Sequence, residues 1–204
     1  MYQVKVPASN PADNPAYNSS MAVTSAFAIR PAAFADIPTL EALIEHSVRQ
    51  LQQSDYTQAQ IDGSIGSAFG IDRQLLADGT YFVATPIDDP TLLVACGGWS
   101  YRRTLYGSDN HTNRDSTPLD PATDFAKIRA IFVHPAWARR GLGSLILAHC
   151  EAAASAAGFT RFEMGSTLTG VPLYSLKGYV ERDRTNVELP NGEQLPIIRM
   201  DKTV

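Results

Sequence analysis

The chain has 204 residues, enough for one substantial domain with a buried core. Its hydrophobic fraction of 44% is ordinary for a globular chain, and no window approaches the roughly 18 unbroken apolar residues of a membrane span. A formal charge of -4 with both signs interspersed gives no general attraction to polyanions, so neither nucleic acid nor a membrane is an expected partner.

Residues 1–25 are rich in Asn, Pro, Ser and Ala without sustained periodicity and read as a flexible N-terminal arm, leaving 26–204 as a single domain. The arm lacks the charged and apolar regions of a secretory leader, so a cytoplasmic location is expected. From Phe27, "FAIRPA" predicts a short strand. Asp36 then opens a helix whose apolar residues Ile37, Leu40, Leu43, Ile44, Val48 and Leu51 share one face. A weaker helix is predicted over 57–69 and a short one over 71–77. "TYFVATP" and "TLLVACGGWSY", separated by the turn residues "IDDP", predict a β-hairpin. Residues 102–125 form a polar stretch longer than the roughly 12 to 15 residues usual for an unstructured connection, which makes them either mobile or part of a binding site; mobility is the reading we favour.

"AKIRAIFV" then predicts a buried strand, 142–157 a helix and "FTRFEMGS" another strand. Within that helix Leu142, Leu145, Ile146, His149 and Ala153 are expected to face the core, His149 as a packing residue, with Gly158 as the C-terminal cap. "VPLYSLKGYVERDR" predicts a short helix ending near Gly178 and entering a strand, and "QLPIIRM" a last strand. Cys96 and Cys150 lie in apolar runs without metal-ligand spacing and read as buried free thiols; no metal is expected.

Between the strand and helix lies "HPAWARRGLGS", residues 134–144. A strand that turns into a helix N-terminus presents unpaired backbone N–H groups, and with the helix dipole these make an anion site. Gly141 and Gly143 remove side chains from the main chain there, while Arg139 and Arg140 add positive charge at the rim. These local features leave a phosphate cradle and a plain structural turn both open. No Lys-Ser or Lys-Thr follows Gly143 as a Walker loop requires, and the third glycine of a dinucleotide fingerprint is missing.

"IRAIFVHPAWARRGLGSLIL" together with "LYSLKGY" (residues 173–179) resembles the GNAT N-acetyltransferases, in which a central strand leads into Gln/Arg-x-x-Gly-x-Gly/Ala and a helix, and a second motif reads Leu-Tyr-x-Lys-x-Gly-Phe. The likeness spans residues 26–202 and is strongest over 127–180. It implies an α/β (α+β) fold with a mixed, mostly antiparallel central sheet flanked by helices. It further implies acetyl-coenzyme A (acetyl-CoA) as co-substrate, with the pyrophosphate on main-chain N–H groups of Arg139, Arg140, Gly141, Leu142, Gly143 and Ser144. The pantetheine arm would pair with the backbone of Ile131 and Val133, and Phe132 would point to the opposite side by strand alternation. Two positions depart from the family pattern: its Gln/Arg falls on Ala138, and an Asn that often contacts pantetheine corresponds to Thr167.

The resemblance also implies Tyr174 as the general acid near the coenzyme sulfur and the Val133 N–H as donor to the oxyanion. Where many relatives place a basic Glu, this chain has Lys127, so Glu45, His46, Asp124, Glu163 and a water chain stay open for that role. Tyr56, Tyr101 and Arg102 are weighed as residues of the acceptor pocket. The expected activity is acetyl transfer to a primary amine of a small molecule by direct attack in a ternary complex, in a chain that dimerises with itself as relatives often do. The alternative is a non-catalytic acyl-CoA sensor.

Overall fold

The computed structural model describes residues 26–111 and 114–204; the arm expected over 1–25 lies outside them. Seven strands among the described residues form one sheet: β1 (Phe27–Pro31), β2 (Tyr81–Pro86), β3 (Ala95–Ser100), β4 (Ala126–Val133), β5 (Arg161–Thr167), β6 (Val180–Glu188) and β7 (Gln194–Thr203). Their order is β1-β2-β3-β4-β5-β7-β6. Every neighbouring pair is antiparallel except β4 and β5, which the intervening helix forces to run parallel. This is the mixed, mostly antiparallel architecture expected.

Helices cover both faces. α1 (Ile37–Leu51), α2 (Gln58–Ser64) and α3 (Arg73–Ala77) pack on one side, and α4 (Leu142–Ala156) lies across β2, β3 and β4 on the other; α5 (Val171–Leu176) follows β5. Two apolar cores result, one centred on Leu40, Ile44, Val48 and Leu75, the other on Ile146, Cys150, Phe159 and Phe162. With cover on both faces, β2 and β3 are buried along their whole length, which is why they read as continuous apolar runs rather than alternating ones. Burying each such Leu, Ile or Phe contributes about 1.5–3 kcal/mol.

Asp36 immediately precedes α1, as expected, although its side chain is turned elsewhere: its carboxylate accepts from the Arg30 guanidinium at 2.7 and 2.8 Å and from the Ala33 N–H at 2.8 Å, closing a preceding 3₁₀ turn. Two local expectations are corrected. The second helix stops at Ser64 instead of 69, because Ile65 turns extended. α4 is also rotated from the predicted face: Leu142, Ile146, Leu147, Cys150 and Ala154 are buried, while Leu145, His149 and Ala153 flank them. His149 packs edge-on against Phe82 at 4.5 Å, and burial lowers its pKa, as fits a packing residue. Both cysteines are buried and free, and burial pushes the Cys96 thiol up to about 12.

The described residues of the 102–125 stretch are tied down. Arg102 grips the Asp78 carboxylate through Nε (2.7 Å) and Nη2 (2.8 Å), and Thr104 N–H donates to the Asp115 carbonyl at 3.0 Å. Arg114 reaches Asp72 at 2.6 Å, and Leu119 N–H donates to the Tyr101 carbonyl at 2.8 Å. These contacts run against the favoured reading of the stretch as mobile for its described residues, and Leu105, Tyr106 and Gly107 line the cavity described next.

Candidate active site

β4 and β5 pair only at Ala126 with Phe162 and Lys127 with Glu163; beyond these β5 bonds β7 and β4 stays with β3, so the two parallel strands part. A bulge in β4 accompanies the parting. The β3–β4 register shifts between Cys96 and Gly98, and Ala130 adopts a left-handed φ of 53°. Gly97 admits the bulge, because a Cβ there would stand 2.4 Å from Ile146 Cγ2 and 2.8 Å from Ile131 Cγ1. On the other face the buried Tyr81 hydroxyl sits 3.4 Å from the Ala130 carbonyl and 3.2 Å from Cys96 Sγ, bracing the distorted peptide.

The His134 N–H donates to the Val94 carbonyl at 2.9 Å, toward β3. Strand alternation therefore turns the backbone of Val133, and of Ile131 before it, toward the gap beside β5. Phe132 is buried with Leu40 and Phe69 on the α1 face, while Ile131 and Val133 pack on the opposite core, as expected.

A cavity of about 90 Å³ occupies the gap. β4 supplies one wall from Ile128 to Phe132, and Met164, Gly165 and Thr167 of β5 the facing one. Tyr174 closes it from α5, and Gln52, Phe69 and Tyr106 close it from the α1–α2 side. The Tyr174 ring is seated by Gly170, where a Cβ would stand 2.7 Å from its Cε2. Burial pushes the phenol well above its ordinary range, so it holds its proton at neutral pH.

At the end of the gap the chain turns into α4. Gly141 is the N-cap, with φ 83° and no side chain to bond the first turn, so the N–H groups of Leu142, Gly143 and Ser144 are left without a capping partner. A Cβ on Gly143 would meet Leu173 Cδ2 at 3.0 Å. Arg139, also left-handed at φ 63°, and Arg140 are exposed at the rim, the latter 4.8 Å above the Trp137 ring. A strand with a free backbone flank, leading into an uncapped first turn with basic residues beside it, fits a long ligand with amide groups and a diphosphate end.

Apart from Thr167 in the β5 wall, the groups weighed for other roles lie outside this cavity. Lys127 pairs with Glu163, which also faces Arg199 at 3.5 Å. Glu45 pairs with Arg49 at 2.8 Å, His46 packs edge-on against His134, and Asp124 accepts from the Asp120 N–H. None of the four proposed bases borders the cavity. Tyr56 donates to the Pro196 carbonyl (2.8 Å) and accepts from Leu168 N–H (2.9 Å) inside the core, and Arg102 lines a separate pocket beside Asp72. Thr167 Oγ1 accepts from Gly170 N–H at 3.1 Å, capping a turn. Sequence reasoning missed Gln52, Phe69, Tyr106 and Arg129; only Arg129 carried a signal, as a charge inside an apolar run.

Residues 120–203 match a family model described as an acetyltransferase (GNAT) domain. No curated protein sequence matches the chain. Among solved structures, the GCN5-related N-acetyltransferase from Rhodopseudomonas palustris superposes with a TM-score of 0.63 at 21% identity, covering 87% of this chain and 95% of that one. The PaiA N-acetyltransferase from Thermoplasma acidophilum, solved with coenzyme A, gives 0.55 at 11% identity, covering 87% and 99%. The yncA protein from Salmonella typhimurium, solved with acetyl-CoA, gives 0.57 at 16% identity, covering 87% and 93%. Residues 120–203 are thus similar to the GNAT acetyltransferase domain, and the described chain has the GNAT fold.

Proposed function

We propose that the chain transfers an acetyl group from acetyl-CoA to a primary amine of a small molecule, by direct attack in a ternary complex. The observation that carries this reading is the parted β4–β5 pair leading, through one 3₁₀ turn at Pro135–Trp137, into an uncapped α4 N-terminus. The N–H groups of residues 139–144 hold the pyrophosphate, with Arg139 and Arg140 adding charge. The free backbone flanks of Ile131 and Val133 align the pantetheine amides, and Phe132 packs away from them. Acetyl-CoA supplies an activated acyl thioester when bound. Val133 N–H donates to the carbonyl oxygen as negative charge grows there, and Tyr174 carries the proton that the departing sulfur needs.

The test is Gly141→Val. A β-branched residue is strained at φ 83° and intrudes on the cradle, so acetyl-CoA binding measured by calorimetry is lost while the fold persists; retained affinity overturns the docking. The ion pair of Lys127 with Glu163, in place of a free carboxylate, favours a second reading as an acyl-CoA sensor. Silence in a coenzyme A release assay across a broad amine panel, with acetyl-CoA still bound, selects the sensor. The homodimer implied by the family resemblance is tested by sedimentation, which would show twice the monomer mass.

A further inference from the structure

We propose that Gln52 receives the attacking nitrogen of the acceptor and that the site takes the amine in its neutral form, favouring weakly basic α-amino compounds over strongly basic alkylamines. The inference rests on the acetyl-transfer reading and names the acceptor class of that same cavity.

Gln52 is the residue that ends α1, is 6% exposed, and borders the cavity opposite β4. Its Oε1 has no hydrogen-bond partner among the described residues. A buried amide oxygen left unmade is costly, and native proteins seldom tolerate one. Other glutamines of this region are satisfied. Gln53 Nε2 takes the Arg49 carbonyl at the helix end, Gln60 Nε2 takes the Gln194 carbonyl at 2.7 Å, and Gln58 and Gln74 reach Asp62 and Asp78. Because Gln53 serves the last turn of α1, Gln52 is left for the cavity. A carbonyl oxygen only accepts, so its complement is an N–H or O–H.

The charge around the cavity decides which N–H. The ionisable groups in its wall are Arg129, Tyr106 and Tyr174, with Asp72, Arg114 and His111 packed behind them. Arg129 is 5% exposed, its Nη1 2.9 Å from Asp72 Oδ2 and its Nη2 donating to the Gly107 carbonyl. Arg114 leans on the same Asp72 at 2.6 Å, so two guanidiniums share one carboxylate. Burial lowers Arg129 to about 10, still charged at neutral pH. His111 feels the same surplus: burial first, then Arg114 and Arg129, hold its pKa down.

An ammonium entering this wall meets like charge and, in Gln52, a neutral acceptor that gives no compensating carboxylate. A neutral amine keeps both the lone pair for attack and an N–H for Oε1. The lone pair forms the C–N bond as the C–S bond breaks onto sulfur, and the proton shed by nitrogen replaces the one Tyr174 gives the thiolate.

The experiment reads coenzyme A release by the full chain at pH 7 with alaninamide, an α-amine, and Nα-acetyl-lysinamide, an ε-amine. With ordinary pKa values near 8 and 10.4, the neutral fractions differ by a factor on the order of 10², and kcat/KM should favour alaninamide by about that much. Gln52→Leu should raise the KM for alaninamide at least about fivefold and leave the KM for acetyl-CoA unchanged, a split that a merely structural role would not produce. Gln52→Glu, which places a carboxylate in the cavity, should narrow the preference below about tenfold. Equal use of both amines by the parent chain overturns the inference, as does an unmoved acceptor KM in either variant. Silence with both amines while acetyl-CoA binds also overturns it, whereas loss of acetyl-CoA binding overturns the reading beneath it.

Discussion

In the proposed reaction the part of Tyr174 turns on one proton. The phenol stands in a cavity wall where burial raises its pKa, and a group held above the working pH is a donor rather than a base. Tyr174→Phe removes the hydroxyl and keeps the ring that Gly170 seats. Turnover should fall by roughly 10- to 100-fold, within the usual share of acid catalysis, while calorimetric affinity for acetyl-CoA stays near the parent value. Unchanged turnover removes Tyr174 from the reaction. The neighbouring residues divide by how visible they were. Gly141 announces itself because residue type and conformational need coincide there, and Gly143 because a Cβ would press on Leu173. Gln52 and Tyr106 come from segments remote in sequence and are ordinary polar and aromatic residues until the fold brings them to β4.

Among the elements, β4 is both the most legible and the most misleading. Its apolar run, the glycine turn and the helix after it were readable because each obeys its own local rule, and the strand runs from Ala126 to Val133 as expected. The bulge at Ala130 was not readable, since alanine has no preference for a left-handed φ and the distortion is imposed by Gly97, Tyr81 and the parted β5. An L-residue in that conformation costs roughly 1–2 kcal/mol, more when β-branched. Ala130→Val should therefore lower stability by about 1–2 kcal/mol, read as a shifted urea midpoint, whereas Ala130→Gly should not lower it. Equal losses in both variants would mean that the left-handed conformation carries no strain. The face of α4 was misjudged for a related reason. Leucines on two sides of that helix let periodicity choose between neighbouring stripes, and only the sheet beneath selects Ile146, Cys150 and Ala154.

At the scale of the whole molecule, charge pairing joins segments that the apolar cores leave apart. Asp36 and Asp78 accept from Arg30 and Arg102, and these hydrogen bonds hold both carboxyls below their ordinary range. A depressed folded pKa means that the unfolded chain binds protons more readily. The stability these pairs contribute is thus present above the unfolded value of about 3.9 and is lost as pH falls through the lower folded values. At the alkaline end the buried phenols of Tyr81, Tyr174 and Tyr179 are raised, so their contribution persists below about pH 10 and is lost above it. Thermal melts should show a plateau between roughly pH 5 and 9 with declines on both sides. A melting temperature that still holds at pH 3 would contradict the assigned carboxylate pairs. No helix among the described residues is long and apolar enough to cross a membrane.

The missing ladder on one flank of β4 has a kinetic corollary. Amides at the centre of a covered sheet ordinarily resist deuterium for as long as the domain stays folded, yet those of Ile131 and Val133 have no strand opposite them to hold their hydrogens. They should label early, against slow neighbours such as Phe132, and become protected when the thioester donor fills the vacant row. Two fast amides inside a slow strand would thus report occupancy of the groove without any turnover.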